Sequence, residues 1–158
     1  MSEEVSTLPC LPHRSREGHK GDYGHVLVAG GSPGMTGAGC MAAWGAQKAG
    51  AGLVTLGLPE SLNLAAEVKL TSSMSLPLPE NAAGGLGMAA ARRIVEIAHR
   101  FEIAAIGPGL GRAGGTFAMV RHVVPRLGLP VVIDADGLNA LAGHLDCISD
   151  RTTTTVLT

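Results

Sequence analysis

An α/β fold built on a mainly parallel sheet is predicted by two features of the chain. Four short apolar runs each stop at a bend of special residues, and helix-like stretches separate them. The first run, Val26-Leu27-Val28-Ala29, ends in Gly30-Gly31-Ser32-Pro33-Gly34. Residues 37–49 follow as a helix of small residues, stopped by Gly50 and Gly52. The second run, Leu53-Val54-Thr55-Leu56, closes at Pro59-Glu60-Ser61. Residues 71–85 are mixed and predict no element. In 86–100, Leu86, Ala90, Ile94 and Ile97 fall at helical spacing, with Arg92, Arg93 and Glu96 off that stripe. The third run, Ile103 to Ile106, meets Gly107-Pro108-Gly109-Leu110-Gly111, and 116–124 reads as a helix. The fourth, Val131-Val132-Ile133, ends in Asp134-Ala135-Asp136-Gly137. The β-branched stretch 152–158, "TTTTVLT", reads as a fifth strand. Parallel strands need crossover helices, so a domain incomplete at its C-terminus is expected.

With 158 residues the chain has the length of one domain, in which residues 1–18 read as a lead-in or linker. Twelve basic residues against thirteen acidic ones give no basic patch, which argues against nucleic acid or an anionic membrane as a partner. Cys10, Cys40 and Cys147 are widely spaced and odd in number, without metal-ligand spacing, so a reducing cytoplasm is expected. No apolar run is long enough to span a bilayer.

Ligands of open parallel sheets bind beyond the carboxyl ends of the strands, which directs attention to loops 30–39, 107–112 and 134–139. The first lacks the Lys-Ser/Thr pair of a P-loop and does not fit G-x-G-x-x-G. Its glycines either allow a tight turn and a close helix, or present backbone N–H groups to a phosphate. "GPGLGR" leaves backbone exposed beside a strand end or is a plain turn. Asp136 is a candidate cap for the next helix; Asp134, Asp136 and Asn139 are alternatively a set that orients a hydroxyl or hydrated Mg²⁺. His13, His19, His25, His99, His122 and His144 show no paired spacing and read mostly as surface residues, while Met41 and Trp44 read as core. No nucleophile-elbow frame surrounds Ser32.

Together "HKGDYGHVLVAGGSPGMTGA", "KAGAGLVTLGLPES", "AIGPGLGR" and "PVVIDADGLNAL" resemble, in order and approximate spacing, the ADP/ATP-dependent NAD(P)H-hydrate dehydratases. The resemblance runs from about Leu8 to Thr158. It implies a ribokinase-like, three-layer α/β/α fold, with residues 19–158 as the N-terminal part of the dehydratase domain. It further implies restoration of NAD(P)H from the S-form of its hydrate, with ADP or ATP as phosphoryl donor and Mg²⁺ as cofactor. By the same resemblance Ala38 and Gly109 contact the substrate, and Gly37, Gly107, Asp134 and Asn139 line the site. A functional link to an NAD(P)H-hydrate epimerase is also implied, as is a homo-oligomer when full length. In the family a Pro-His-Pro-Gly-Glu segment and a Gly-Thr-Gly-Asp motif, with the Asp expected as base, follow the strand that "TVLT" resembles. Neither occurs here, so this chain alone is expected to be inactive. Two other readings stand beside this one. One is a vitamin-type small-molecule kinase of the same fold. The other is a non-catalytic nucleotide-binding module in which Glu60 takes the ribose-binding acid's place.

Overall fold

The computed structural model describes residues 13–158. Its sheet has six strands: β1 (His25–Ala29), β2 (Leu53–Pro59), β3 (Met74–Leu78), β4 (Ile103–Ile106), β5 (Val131–Ile133) and β6 (Thr155–Leu157). They lie in the order β3-β2-β1-β4-β5-β6, and all pair in parallel. The helices are α1 (Thr36–Lys48), α2 (Asn63–Lys69), α3 (Met88–Ile97), α4 (Gly114–Val123), α5 (Asp136–Leu141) and α6 (Asp146–Ser149). The predicted α/β architecture is present.

Alternation along the short strands divides the core in two. One face carries Leu27, Ala29, Ala104, Ile106, Val131 and Ile133, sealed by Ile94 of α3, Met119, Val120 and Val123 of α4, and Ala140 of α5. The other carries Val28, Val54, Leu56 and Leu58 against Cys40 and Ala43 of α1 and Ala66 of α2. Each fully buried Leu or Ile contributes about 1.5–3 kcal/mol relative to exposure, so these layers hold most of the fold's stability. Among the described residues, helices cover the second face only over β1, β2 and β3. Beyond them Ile103, Ala105 and Val132 stay half-buried, and Val156 of β6 is exposed.

Helix α1 lies close to the sheet because its inner positions are Gly39, Cys40 and Ala43. A Cβ on Gly39 would stand 3.0 Å from Leu56 Cδ1 and 3.2 Å from the Gly30 carbonyl carbon. Nothing as large as an indole fits on that side. Trp44 and Met41, expected in the core, therefore point outward and are exposed, which corrects the sequence reading. The helix ends as its glycine signal predicts: Gly50 takes φ +112° and the Ala51 N–H returns to the Ala46 carbonyl at 3.0 Å.

Strand β3, helix α2 and the short α6 escaped the sequence. Strand β3 lies within 71–85; it is an edge strand, mostly half-exposed and interrupted by Pro77, so it lacks a continuous apolar run. Helix α2 has one buried residue, Ala66. The fifth expected strand is present as the shorter β6. Of the expected lead-in, residues 13–18 form irregular chain, and Arg14 stacks 4.3 Å over the Tyr23 ring and donates to the Gly50 carbonyl at 2.5 Å. Residues 1–12, with Cys10 and Leu8, lie outside the described part. His25 departs from the surface expectation: its Nε2 meets Thr55 Oγ1 at 2.8 Å and its ring stands 4.5 Å from Phe101. His122 and His144 are half-buried as well.

Candidate functional site

Strand order reverses between β1 and β4, where adjacent crossovers leave on opposite faces and open a crevice at the carboxyl ends. Because every strand is parallel, the loops after β1, β4 and β5 all stand on this rim. They are locked to one another through backbone groups. The Gly31 N–H donates to the Pro108 carbonyl at 2.9 Å, and Ser32 Oγ donates to the Gly109 carbonyl at 2.8 Å. The Gly107 N–H donates to the Ala29 carbonyl at 3.1 Å.

The glycines divide by what surrounds them. A Cβ on Gly107 would lie 1.7 Å from the Asp134 carbonyl oxygen, and φ is +134° there. A Cβ on Gly109, at φ +68°, would meet the Met35 carbonyl at 2.6 Å and Ala38 Cβ at 2.9 Å. These positions are glycine because backbone from a neighbouring loop fills the space. Gly34 and Gly37 instead face open space. Of the predicted site residues, Ala38 and Gly109 are thus brought into contact, Gly37 opens onto the rim, and Gly107 is packed beneath it.

Asp136 does not cap α5. The cap position is Ala135, at φ 48° and ψ −114°, and no side chain bonds there. The Asp136 carboxylate crosses instead to the β4 loop, accepting the Gly111 N–H at 2.9 Å and Asn139 Nδ2 at 3.1 Å, with Arg112 Nε 3.5 Å away. Asn139 is thereby a support for Asp136. Asp134 is half-buried, and its carboxylate has no hydrogen-bond partner among the described residues.

Electropositive groups come from backbone. Helix α1 starts at this rim without a side-chain cap. The Met35 and Ala38 N–H groups bond to Ser32 and Met35 carbonyls at 2.8 and 3.1 Å, leaving the Thr36 and Gly37 N–H groups without acceptors among the described residues. Unpaired N–H groups in a first turn favour an anion. Arg112, largely exposed and paired with Asp136, is a nearby cation.

A fourth loop, between β3 and α3, went unread in the sequence. Asn81 Oδ1 accepts the Ala83 and Gly85 N–H groups at 2.9 and 3.1 Å, while Nδ2 reaches the Leu86 carbonyl and Thr116 Oγ1, both at 3.3 Å. This sets Gly84, at φ +72°, beside Pro33, with 3.0 Å from its would-be Cβ to Pro33 Cγ. The sequence signal was Asn81 ahead of Gly84-Gly85, an Asx turn. Ser32 and Met35 were also missed, Ser32 because a buried hydroxyl in a glycine-rich bend looks like any turn serine.

Among the described residues no three His, Cys, Asp or Glu side chains gather as a metal site. Nor, among the described residues, is any helix long and apolar enough to cross a membrane.

Comparison with known proteins places this geometry. The profile of the NAD(P)H-hydrate dehydratase family matches residues 26–158. A bifunctional NAD(P)H-hydrate repair enzyme of Moorella thermoacetica is 48% identical over 132 residues, covering 84% of this chain and 25% of the relative. One from Salinibacter ruber is 42% identical, covering 89% and 26%. Among solved structures, the ADP/ATP-dependent NAD(P)H-hydrate dehydratase of Bacillus subtilis, co-crystallised with ATP and Mg²⁺, superposes with a TM-score of 0.71 at 28% identity. That match covers 93% of this chain and 48% of the Bacillus chain. A ribokinase-like protein of Enterococcus faecalis, 18% identical with a TM-score of 0.68, shares the fold. The chain spans about a quarter of the curated relatives' length and just under half of the Bacillus chain.

Proposed function

This chain belongs to the NAD(P)H-hydrate dehydratase family, and from that premise we propose that its rim holds the S-form of NAD(P)H hydrate during ADP- or ATP-dependent dehydration. The observation that carries the reading is the contact of Gly109 with Ala38 at the strand-order switch, beside the unpaired N–H groups of α1. Those N–H groups suit the dinucleotide's phosphates. Gly37 and Ala38 leave room for the hydrated ring.

The hydrate carries a hydroxyl on its nicotinamide ring, and direct loss would expel hydroxide, the base of water with a pKa near 15.7. Phosphorylation of that hydroxyl by ADP or ATP makes the leaving group phosphate, whose second pKa is about 6. The ring nitrogen's electron pair then assists departure of phosphate as the C–O bond breaks, and loss of a proton from the adjacent ring carbon supplies the electron pair of the new C–C double bond and returns the nitrogen's pair. The protein's task is alignment and charge balance.

Mg²⁺ would supply neutralisation of the donor's phosphates. It keeps several waters and takes only one or two carboxylates, so the unengaged Asp134 fits as a single ligand, whereas Asp136 is held by Gly111 and Asn139. The proton acceptor and the donor's main contacts belong, on this reading, to groups other than the described residues. Binding without turnover is therefore expected of this chain alone.

Calorimetric titration with NADPH hydrate tests the reading. Ala38→Leu and Gly37→Gln should abolish binding with the melting temperature retained; binding that survives both refutes the assignment. Formation of NADH from its hydrate by this chain with ADP or ATP would refute the division of labour. One observation favours a rival: Glu60 stands exposed after β2, and the strand order is that of a dinucleotide-binding domain. Tight, Glu60-dependent binding of intact NAD would select it.

A further inference from the structure

The rim is built mostly of backbone and of small or polar side chains. No Phe, Tyr or Trp stands there. Tyr23 and Phe101 precede β1 and β4 at the opposite end of the sheet, Trp44 lies along α1, and Phe117 packs against the core from α4. Leu110 of the β4 loop is buried. Met35 differs: it closes the β1 loop just before α1 and is 41% exposed. Its Cβ lies 3.1 Å from where a Cβ on Gly109 would stand, and its Cε 3.6 Å from the same position at Gly111. The thioether chain thus runs along the β4 loop from one glycine to the next, with its outer side open. Among the described residues of the loops after β1, β4 and β5, no other Leu, Ile, Val, Met or aromatic side chain is exposed.

We propose that Met35 is the apolar wall for the nicotinamide end of the ligand, an inference that rests on reading the rim as the hydrate's site. One exposed apolar residue is ordinary on a protein surface. This one stands in the crevice where the ligands of such sheets bind, and its own packing leaves apolar area in water that a ligand can cover. The hydrated ring is uncharged and partly saturated, so its faces are largely C–H surface. Contact with the thioether chain takes apolar area out of water on both sides. Methionine's three rotatable bonds let the wall follow a puckered ring, where a flat aromatic side chain suits a planar one. Binding pockets pair such a wall with a few placed polar groups. Here the unpaired Thr36 and Gly37 N–H groups follow on the helix side of Met35, and Gly109 and Gly111 lie on the other. The ligand thereby gains a direction, phosphates toward α1 and ring along the β4 loop.

Calorimetric titration of the whole chain with NADH hydrate, and with ADP-ribose, which lacks the ring, tests the wall. Met35→Gln keeps the side chain's length and makes its end polar. Hydrate affinity should fall roughly five- to tenfold, while ADP-ribose affinity stays within about twofold. Met35→Leu, apolar and of similar volume, should hold hydrate affinity within about threefold. Met41→Gln, at a methionine 68% exposed on α1, is the control and should change neither. Melting temperatures should stay within about 2 °C throughout, because both side chains are exposed. Hydrate binding untouched by Met35→Gln overturns the proposal. So does an equal loss of both ligands, which would make Met35 a general support of the rim. Absence of hydrate binding by the unaltered chain is a different failure: it removes the rim reading, and the wall with it.

Discussion

Replacing Gly107 by alanine tests whether the rim glycines serve packing or the ligand. Its Cβ would sit 1.7 Å from the Asp134 carbonyl oxygen, 2.8 Å from that carbonyl's carbon and 2.9 Å from the Gly137 nitrogen. All three are backbone atoms, and no side chain can swing aside. The φ of +134° belongs to a region that costs a side-chain-bearing residue about 1–3 kcal/mol. To relieve the clash, the β5 loop must withdraw. That strains the Gly137 N–H bond to Asp134 O (2.8 Å) and the Asp134 N–H bond to Ile106 O (3.0 Å), each worth about 1 kcal/mol. The expected loss is about 3–5 kcal/mol, a large share of the 5–15 kcal/mol that holds a typical domain. Urea unfolding followed by far-ultraviolet circular dichroism measures it. Gly37→Ala is the counterpart: its Cβ meets open space within α1, so stability should hold or rise by up to about 1 kcal/mol. A Gly107→Ala protein within about 1 kcal/mol of wild type would refute the packing argument.

Other expectations follow from single contacts. Arg151 donates to the Val124, Leu127 and Leu129 carbonyls and to Thr153 and Thr155 hydroxyls, closing the end of α4 against β6; Arg151→Met should cost about 2–4 kcal/mol in urea unfolding. Asp136→Ala should release Gly111 and weaken hydrate binding more than it lowers the melting temperature, with Arg112→Ala milder because that ion pair is mostly exposed. Burial holds the His25 imidazole below its ordinary value near 6.5, outweighing the opposing pull of Glu102, and burial together with Arg126 and Arg92 lowers His122. The unfolded chain then binds the proton more readily, so stability is full above about pH 6.5 and declines as pH falls toward the folded-state values. His25→Gln should flatten part of that decline in denaturation series between about pH 7.5 and 5. An unchanged slope would remove His25 from the account.

How far the sequence foretold this molecule can be followed residue by residue. Strands β1, β2, β4 and β5 were legible because each is buried and ends at a glycine, proline or aspartate bend. Edge strand β3 was not, since exposure and Pro77 erase its pattern. Trp44 misled because hydrophobicity is a guide to burial only where there is room, and Gly39 and Ala43 had already drawn α1 down upon the sheet. The rim's location followed from strand order, but its wiring did not. Asp136 looked like a helix cap, and only the three-dimensional approach of the β4 loop shows its carboxylate spent on Gly111. Asn81 and Ser32 likewise act through partners 35 and 77 positions away.

The mutual bonding of the rim loops limits where selectivity can change. Gly31 and Ser32 are bonded to Pro108 and Gly109, and Gly111 to Asp136, so altering any one unsettles a neighbouring bend. Gly37 meets open space, and Arg112 is tied to the rim only by a mostly exposed ion pair to Asp136. Retuning this protein for a different small molecule would begin at those two.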